Sequence, residues 1–369
     1  MNLKKRITHN LLNIPGWQTN RHIIVIESDD WGAIRMPSRA VYEELLHKGY
    51  KVDLHPYEKN DSLATEDDLN KLFDVLYCFT DIKGNHPVIT ANCAVANPDF
   101  DKIKVNQYKE YFFEPFTKTL SRYQGCEQSF NLWKQGIQTK VFVPQFHARE
   151  HLNVARWLVS LQKGNADSLL AFQKGMMGIF PLNNHKEGNL FQVAYDDSIY
   201  KHQPLEDIIS EGLDLFETIF GYKSETSIAP CYTWSSKLEK VLNDKGVIGI
   251  QGSVYQRVPA QKHIRHWMGT TNDLGQIYTI RNCYFEPTLI PDMDSIDDCL
   301  YRIKCAFRWN KPAIISSHRL NYIGAIHPQN RDENLKSLSV MLAKILKRWP
   351  DVEFMSSCQF VKIIKNQKK

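Results

Sequence analysis

Eight short apolar runs recur along the chain, each bounded by polar or turn-forming residues and most of them followed by a stretch of helical periodicity. They are Ile23–Ile26, Pro87–Cys93, Lys140–Phe146, Thr226–Ala229, Val247–Ile250, Gln276–Arg281, Pro312–Ser317 and Val352–Met355. Runs this short and this uniformly apolar read as strands covered on both faces, which is the pattern of a parallel sheet wrapped by helices. The intervening helices carry their own punctuation. Gly49 closes Ser38–Lys48, Thr65-Glu66-Asp67-Asp68 resembles a capping box that opens a helix through Cys78, and Pro204 and Gly221 bracket another. No Gly-rich nucleotide fingerprint follows the first strand and no composition break divides the chain. The expected fold class is therefore α/β: a distorted (β/α)7-8 barrel with parallel strands, a single domain with loop insertions. Residues 1–20 read as an N-terminal extension and 21–360 as the barrel. Within it 165–203 is an insertion or lid, with Asn183-Asn184-His185 in its second half, and 361–369 is a basic C-terminal tail.

Composition removes several function classes. A chain of 369 residues can bury a large core, and its formal charge of +5 is mild, with basic residues gathered at the two ends. No basic stripe with interleaved aromatics appears, so nucleic acid is not an expected partner. No apolar run approaches the roughly 20 residues that cross a bilayer, and no apolar stretch follows the N-terminal charges, which argues against membrane insertion and secretion. Eight cysteines without a C-x-x-C pair fit a reduced, cytoplasmic protein. The sequence assigns no oligomeric state.

Chemistry-bearing residues fall at strand ends, where barrels place their active sites. The first run stops at Asp29-Asp30-Trp31-Gly32. Two adjacent anions repel, and a cation or a shared proton is the usual remedy. Neighbouring strand side chains point to opposite faces, so both carboxylates serve one site only if the chain leaves the strand there, which Gly32 permits. The alternative is that Asp30 merely caps the helix that follows. His147 and His151, four apart, would share a face at the start of a helix and reach one ion. With one carboxylate they form a set suited to zinc or another divalent first-row metal. The plainer reading is a histidine pair that binds nothing. Pro230-Cys231-Tyr232 and His318 occupy two further strand ends.

In this order, these motifs resemble the polysaccharide deacetylases of the NodB homology type, within the superfamily of glycoside hydrolases and deacetylases built on β/α barrels. The resemblance runs over residues 20–360. It implies that Asp29 is the catalytic base, that Asp30, His147 and His151 hold one divalent metal ion, zinc first, and that His318 is the acid. The substrate implied is an N- or O-acetylated saccharide, attacked by a metal-activated water. The N–H of Cys231 or Tyr232 would hold the oxyanion, and Trp31 and Trp234, which adjoin these residues, would stack on sugar. The chain departs from the family pattern at Ser28, where an aromatic is usual, and at Trp31, which separates the Asp pair from Gly32. Ile228 stands where the family has a base-orienting Arg. Arg149 or Arg319 is the expected substitute, and Asp273 and Trp267 the expected Asp-Trp pair that sets the acid.

Three other readings compete. His147-Ala148-Arg149-Glu150-His151 also satisfies H-x-x-E-H, in which Glu150 would be a peptidase base. A glycoside hydrolase of the same superfamily would use two carboxylates and no metal. A barrel without turnover would bind a glycan only.

Overall fold

The runs Ile23–Trp31 (β1), Ile89–Ala94 (β2), Phe142–Ala148 (β3), Thr226–Ile228 (β4), Gly249–Gly252 (β5), Ile277–Ile280 (β6), Cys283–Tyr284 (β7), Ala313–His318 (β8) and Glu353–Phe354 (β9) are strands of one sheet in the computed structural model, which describes residues 3–179, 191–291 and 293–367. Their order is β6-β5-β4-β3-β2-β1-β8-β7, every pairing is parallel, and β9 joins the start of β1 at Ile23 and Ile24. The two edges of the curled sheet meet in a single stretch of chain. β6 pairs with β5 from Ile277↔Gly249 to Ile280↔Gly252, and β7, two residues further on, pairs with β8 at Cys283↔Ile315. Between them the Asn282 side chain replaces backbone pairing, donating to Pro312 O at 2.9 Å and accepting from Ile314 N at 2.9 Å. The result is a distorted (β/α) barrel with helices packed outside.

Alternation along β1 decides what faces the lumen. Ile24 and Ile26 belong to the large apolar cluster under the surrounding helices, whereas Ile23 and Val25 pack with Ile314 and Phe360 in a second cluster. Glu27 and Asp29 continue the second row, so the lumen turns from apolar to polar as it approaches the C-terminal ends of the strands.

Both chain ends close the opposite, apolar end. Helix Ser357–Gln367 buries Phe360, Val361 and Ile364. The expected basic tail at 361–369 is thus, through Gln367, the second half of a packed helix; apolar residues at helical spacing outweigh the lysines around them. The Trp17 ring meets Phe360 edge-on with centroids 5.8 Å apart, and Lys311 Nζ donates to Gly16 O and Trp17 O at 2.6 and 2.8 Å. Thr65 and Asp68 form the reciprocal cap that their spacing predicts. Of the 165–203 segment, Ala166–Gln173 is a helix and Met176 and Met177 are buried; Asn183-Asn184-His185 lie outside the described residues. Among the described residues no helix is long and apolar enough to cross a membrane.

Candidate active site

The Asp pair reaches one site through a β-bulge. Ser28 pairs with Ala91 and Trp31 with Cys93, so Asp29 and Asp30 together oppose the single residue Asn92. Asp30 takes a left-handed conformation, φ 72°. The extra residue breaks the strict alternation of the strand. Asp29 keeps its lumen face, Asp30 swings to the mouth, and Trp31 turns outward. Gly32 follows at φ 80°, where a Cβ would stand 2.3 Å from Ala94 O. Asp30 is no helix cap: the next long helix, Arg39–His47, is capped by Ser38.

His147 is the penultimate residue of β3, and His151 lies in the loop before helix Val154–Gln162, whose cap is Asn153. The four-residue spacing is therefore not helical; the loop folds back and sets the rings 4.9 Å apart. His147 Nδ1–H donates to Ile228 O at 2.8 Å, which fixes the tautomer and leaves Nε2 with a lone pair. Asp30 Oδ1 lies 3.6 Å from His147 Nε2 and 3.3 Å from His151 Nε2. All three residues are buried, and their ligand atoms fall within 4.8 Å of one another. His147 Nε2 is buried without a hydrogen-bond partner, an expensive state that a cation at this point would relieve. Burial holds His151 down at about 3, so its ring is neutral and able to ligate. Burial works to raise the Asp30 carboxyl, but Arg35, with Nη2 at 3.3 Å, holds it well below the usual range. Two imidazoles, that of His151 held neutral by burial, and an ionised carboxylate fit a divalent ion.

Asp29 stands beside this cluster, gripped from the seam between β6 and β7. Arg281, immediately after β6, donates Nη1 to Oδ2 and Nη2 to Oδ1, each at 2.6 Å, and Asn92 Nδ2 donates to Oδ1 at 2.8 Å. Burial would raise the carboxyl, but the guanidinium overrides it and brings Asp29 to about 2. The arginine that holds Asp29 is therefore Arg281, not either residue expected from the sequence. Arg149 faces away from the site, paired with Glu150 at 2.7 Å, and Arg319 binds Asp61 through Nε and Nη2 at 2.9 and 2.8 Å. Glu150 is thereby tied to Arg149, and the H-x-x-E-H segment is not a helix; both facts remove the ground for a peptidase base.

His318 ends β8 in register with Asp29, its Nε2 3.9 Å from Asp29 Oδ2. Its Nδ1–H donates to Glu286 Oε1 at 2.7 Å, and Asn321 donates to the other Glu286 oxygen at 2.9 Å. Burial opposes charge on the ring, yet Glu286 raises it to about 9. Glu286 holds the place expected of Asp273 and Trp267, which are remote from the mouth. Arg281 and Glu286 both follow short apolar strands, so the strand-end rule that singled out His318 would have found them as well.

A cavity of about 290 Å³ opens over these groups. Asp29, Asp30, His147, His151, Cys231, Tyr232 and His318 line it, with Arg35, Tyr57, Met176, Met177 and Arg257 among its walls. Trp31 and Trp234 do not. Trp31 is packed edge-on against Trp133 and Phe142 and donates to Ser28 Oγ at 2.9 Å, while Trp234 is buried against His266 and donates to Glu239 at 3.0 Å. Cys231 and Tyr232 both adopt left-handed backbone, φ 54° and 55°. The Tyr232 N–H is used by Ala229 O at 3.0 Å, which leaves the Cys231 N–H as the remaining oxyanion candidate of the two. Burial raises the Cys231 thiol to about 11, so it is no nucleophile at neutral pH.

A parallel β/α barrel with an Asp-His-His cluster at the mouth defines the class of protein. No protein-family model and no curated protein sequence matches the chain. Among solved structures, one from Parabacteroides distasonis, described as a glycoside hydrolase/deacetylase, superposes with a TM-score of 0.50 at 10% identity, over 96% of this chain and 73% of that one. A Mycobacterium smegmatis protein described as a polysaccharide deacetylase gives 0.44 at 10% identity, over 96% and 94%. The 4-alpha-glucanotransferase of Thermococcus litoralis gives 0.46 at 8%; the match covers 93% of this chain but only 40% of that one. The chain shares its β/α-barrel fold with the Parabacteroides distasonis structure.

Proposed function

We propose that the protein is a metal-dependent carbohydrate deacetylase that removes an acetyl group from an N- or O-acetylated sugar. Asp30, His147 and His151 would hold one divalent ion, zinc first among the candidates. Such an ion supplies Lewis acidity toward an acyl oxygen and toward water near neutral pH. Asp29, ionised and fixed by Arg281 and Asn92, accepts the proton of the attacking water. Its low basicity would be tolerable toward a water that a bound ion makes more acidic. The Cys231 N–H, at the cavity wall, is placed to donate to the tetrahedral oxyanion. His318, cationic at neutral pH through Glu286, returns a proton to the departing amine or alcohol. One observation carries the reading: a three-residue ligand cluster, with an orphaned imidazole nitrogen, beside an ionised aspartate and a protonated histidine in the same cavity. The eight free thiols support a reducing, cytoplasmic compartment.

The test is metal analysis of the purified protein together with acetate release from acetylated mono- and oligosaccharides. Wild type should carry one divalent ion and release acetate. Asp30→Ala and His147→Ala should lose both, and Asp29→Asn should keep the metal and lose turnover. A wild-type protein that binds the ion and sugars but releases no acetate would instead be a glycan-binding barrel.

A further inference from the structure

Two residues before Asp29, on the same lumen face of β1, Glu27 is wholly enclosed and lines no part of the mouth cavity. It touches neither the metal cluster nor the space for substrate. Its Oε2 accepts Arg281 Nε–H at 2.7 Å and its Oε1 accepts the Ser357 hydroxyl at 2.7 Å. Ser357 opens the C-terminal helix and is itself fixed by its N–H, which donates to Thr90 Oγ1 at 2.9 Å. One guanidinium is therefore wedged between two carboxylates of one strand, with Nε on Glu27 and both Nη atoms on Asp29.

Stability does not explain this arrangement. Taking a second carboxylate out of water costs several kcal/mol before pairing, and a buried ion pair is often no better than an apolar replacement. Geometry does explain it. A guanidinium held only through its two Nη atoms can rock about the line joining them to its partner, and the partner's carboxylate plane rocks with it. A third anchor at Nε removes that freedom. Misplacing a reacting group by about 1 Å costs on the order of 100-fold in rate, so the freedom matters where Asp29 must meet a water.

We propose that Glu27, braced by Ser357 of the C-terminal helix, is a positioning residue that locks the plane of Arg281 and through it the proton-accepting carboxylate of Asp29. The catalytic part of this proposal rests on the deacetylase reading; the mechanical part does not. It makes the helix at the closed end of the barrel part of the construction of the site at the open end.

Two measurements on Glu27→Gln, Ser357→Ala and Ser357→Thr test it, in the full-length metal-loaded protein. The first is hydrogen exchange of the Arg281 Nε–H by nitrogen-15 NMR, with the signal assigned by its loss in Arg281→Lys. Exchange should be slow in wild type and in Ser357→Thr, which keeps a hydroxyl, and at least about tenfold faster in Glu27→Gln and Ser357→Ala. The second is acetate release. Glu27→Gln should lose about 10- to 100-fold in kcat with KM within about twofold and metal content unchanged. Unaltered Nε–H exchange in Glu27→Gln overturns the brace. Faster exchange with full kcat overturns the positioning role and leaves the deacetylase reading intact. Should wild type release no acetate, that reading fails, and exchange alone decides for or against the brace. If Glu27→Gln does not fold, Ser357→Ala probes the same strut from its outer end.

Discussion

Replacing Arg281 with Met removes the cation shared by two enclosed carboxylates. Its side chain is 0% exposed, as is that of Glu27, and that of Asp29 is 7% exposed, so water cannot take its place. In wild type burial pushes the Asp29 carboxyl up and the guanidinium more than offsets it, so that the net change is from 3.8 to about 2. At about 1.4 kcal/mol per unit that displacement corresponds to about 2–3 kcal/mol for Asp29 alone. Breaking a buried pair from the cation side costs about 3–5 kcal/mol, because the carboxylates are left uncompensated. The pH dependence carries the stronger test. In wild type the Asp29 pKa is lowered on folding, so its contribution is present above the unfolded value and is lost as pH falls through about 2. In Arg281→Met burial is unopposed: Asp29 is raised above its unfolded value, which reverses its sign, and Glu27, which burial already raises in wild type, is raised further. Stability is then retained below the unfolded value and lost as pH rises through the raised one. The deficit of the variant against wild type should therefore be smallest near about pH 2, where Asp29 takes up its proton in both, be about 2 kcal/mol by about pH 4 and grow further toward pH 7. Urea unfolding with chelator present, at three pH values across that window, measures it. A deficit below about 1 kcal/mol at pH 7, or one of equal size across the window, would refute the reasoning.

The remaining expectations follow from single contacts. Glu286 is what raises His318 to about 9, and an acid must be protonated to act, so activity should fall as pH rises through that value. Glu286→Gln should draw this alkaline limb of the rate profile down by at least about one pH unit, and an unmoved limb would mean that His318 is not the acid. Trp31→Phe and Trp234→Phe should leave KM for saccharide unchanged and cost about 1–2 kcal/mol in unfolding, since each loses a buried hydrogen bond; a tenfold rise in KM would restore the sugar-stacking role. Gly32→Ala should cost at least about 2 kcal/mol, because a Cβ would collide with Ala94 O at 2.3 Å on left-handed backbone, and a neutral substitution would show that the bulge relaxes freely.

Much of this architecture is legible one segment at a time. A strand buried on both faces must be apolar throughout, so Ile23–Ile26, Val141–Phe146 and Ala313–Ile315 announce themselves, and polar residues that interrupt such runs at their C-terminal ends mark the mouth of the barrel. Those interruptions, Asp29-Asp30, His147, His151 and His318, line one cavity. What the pattern could not supply is pairing across the lumen. Arg281 and Asp29 are separated by 252 positions, and nothing local distinguishes Arg281 from Arg149 or Arg319, which found Glu150 and Asp61 instead.

The bulge in β1 draws the same line more sharply. Under strict period-two alternation Trp31 would share the lumen face of Asp29, and Asp30 would point at the helices. One additional residue exchanges them: Asp30 reaches the two histidines and Trp31 enters the apolar layer against Trp133 and Phe142. The sequence by itself determined eight of the nine strands of the sheet, all but Cys283–Tyr284, and the carboxylates and imidazoles at their ends, because those follow from local hydrophobicity and backbone preference. The tertiary structure alone decided which face each side chain met and which charge neutralised which. Those outcomes depend on register between neighbouring strands and on distances across a closed barrel, and neither is a property of any single segment.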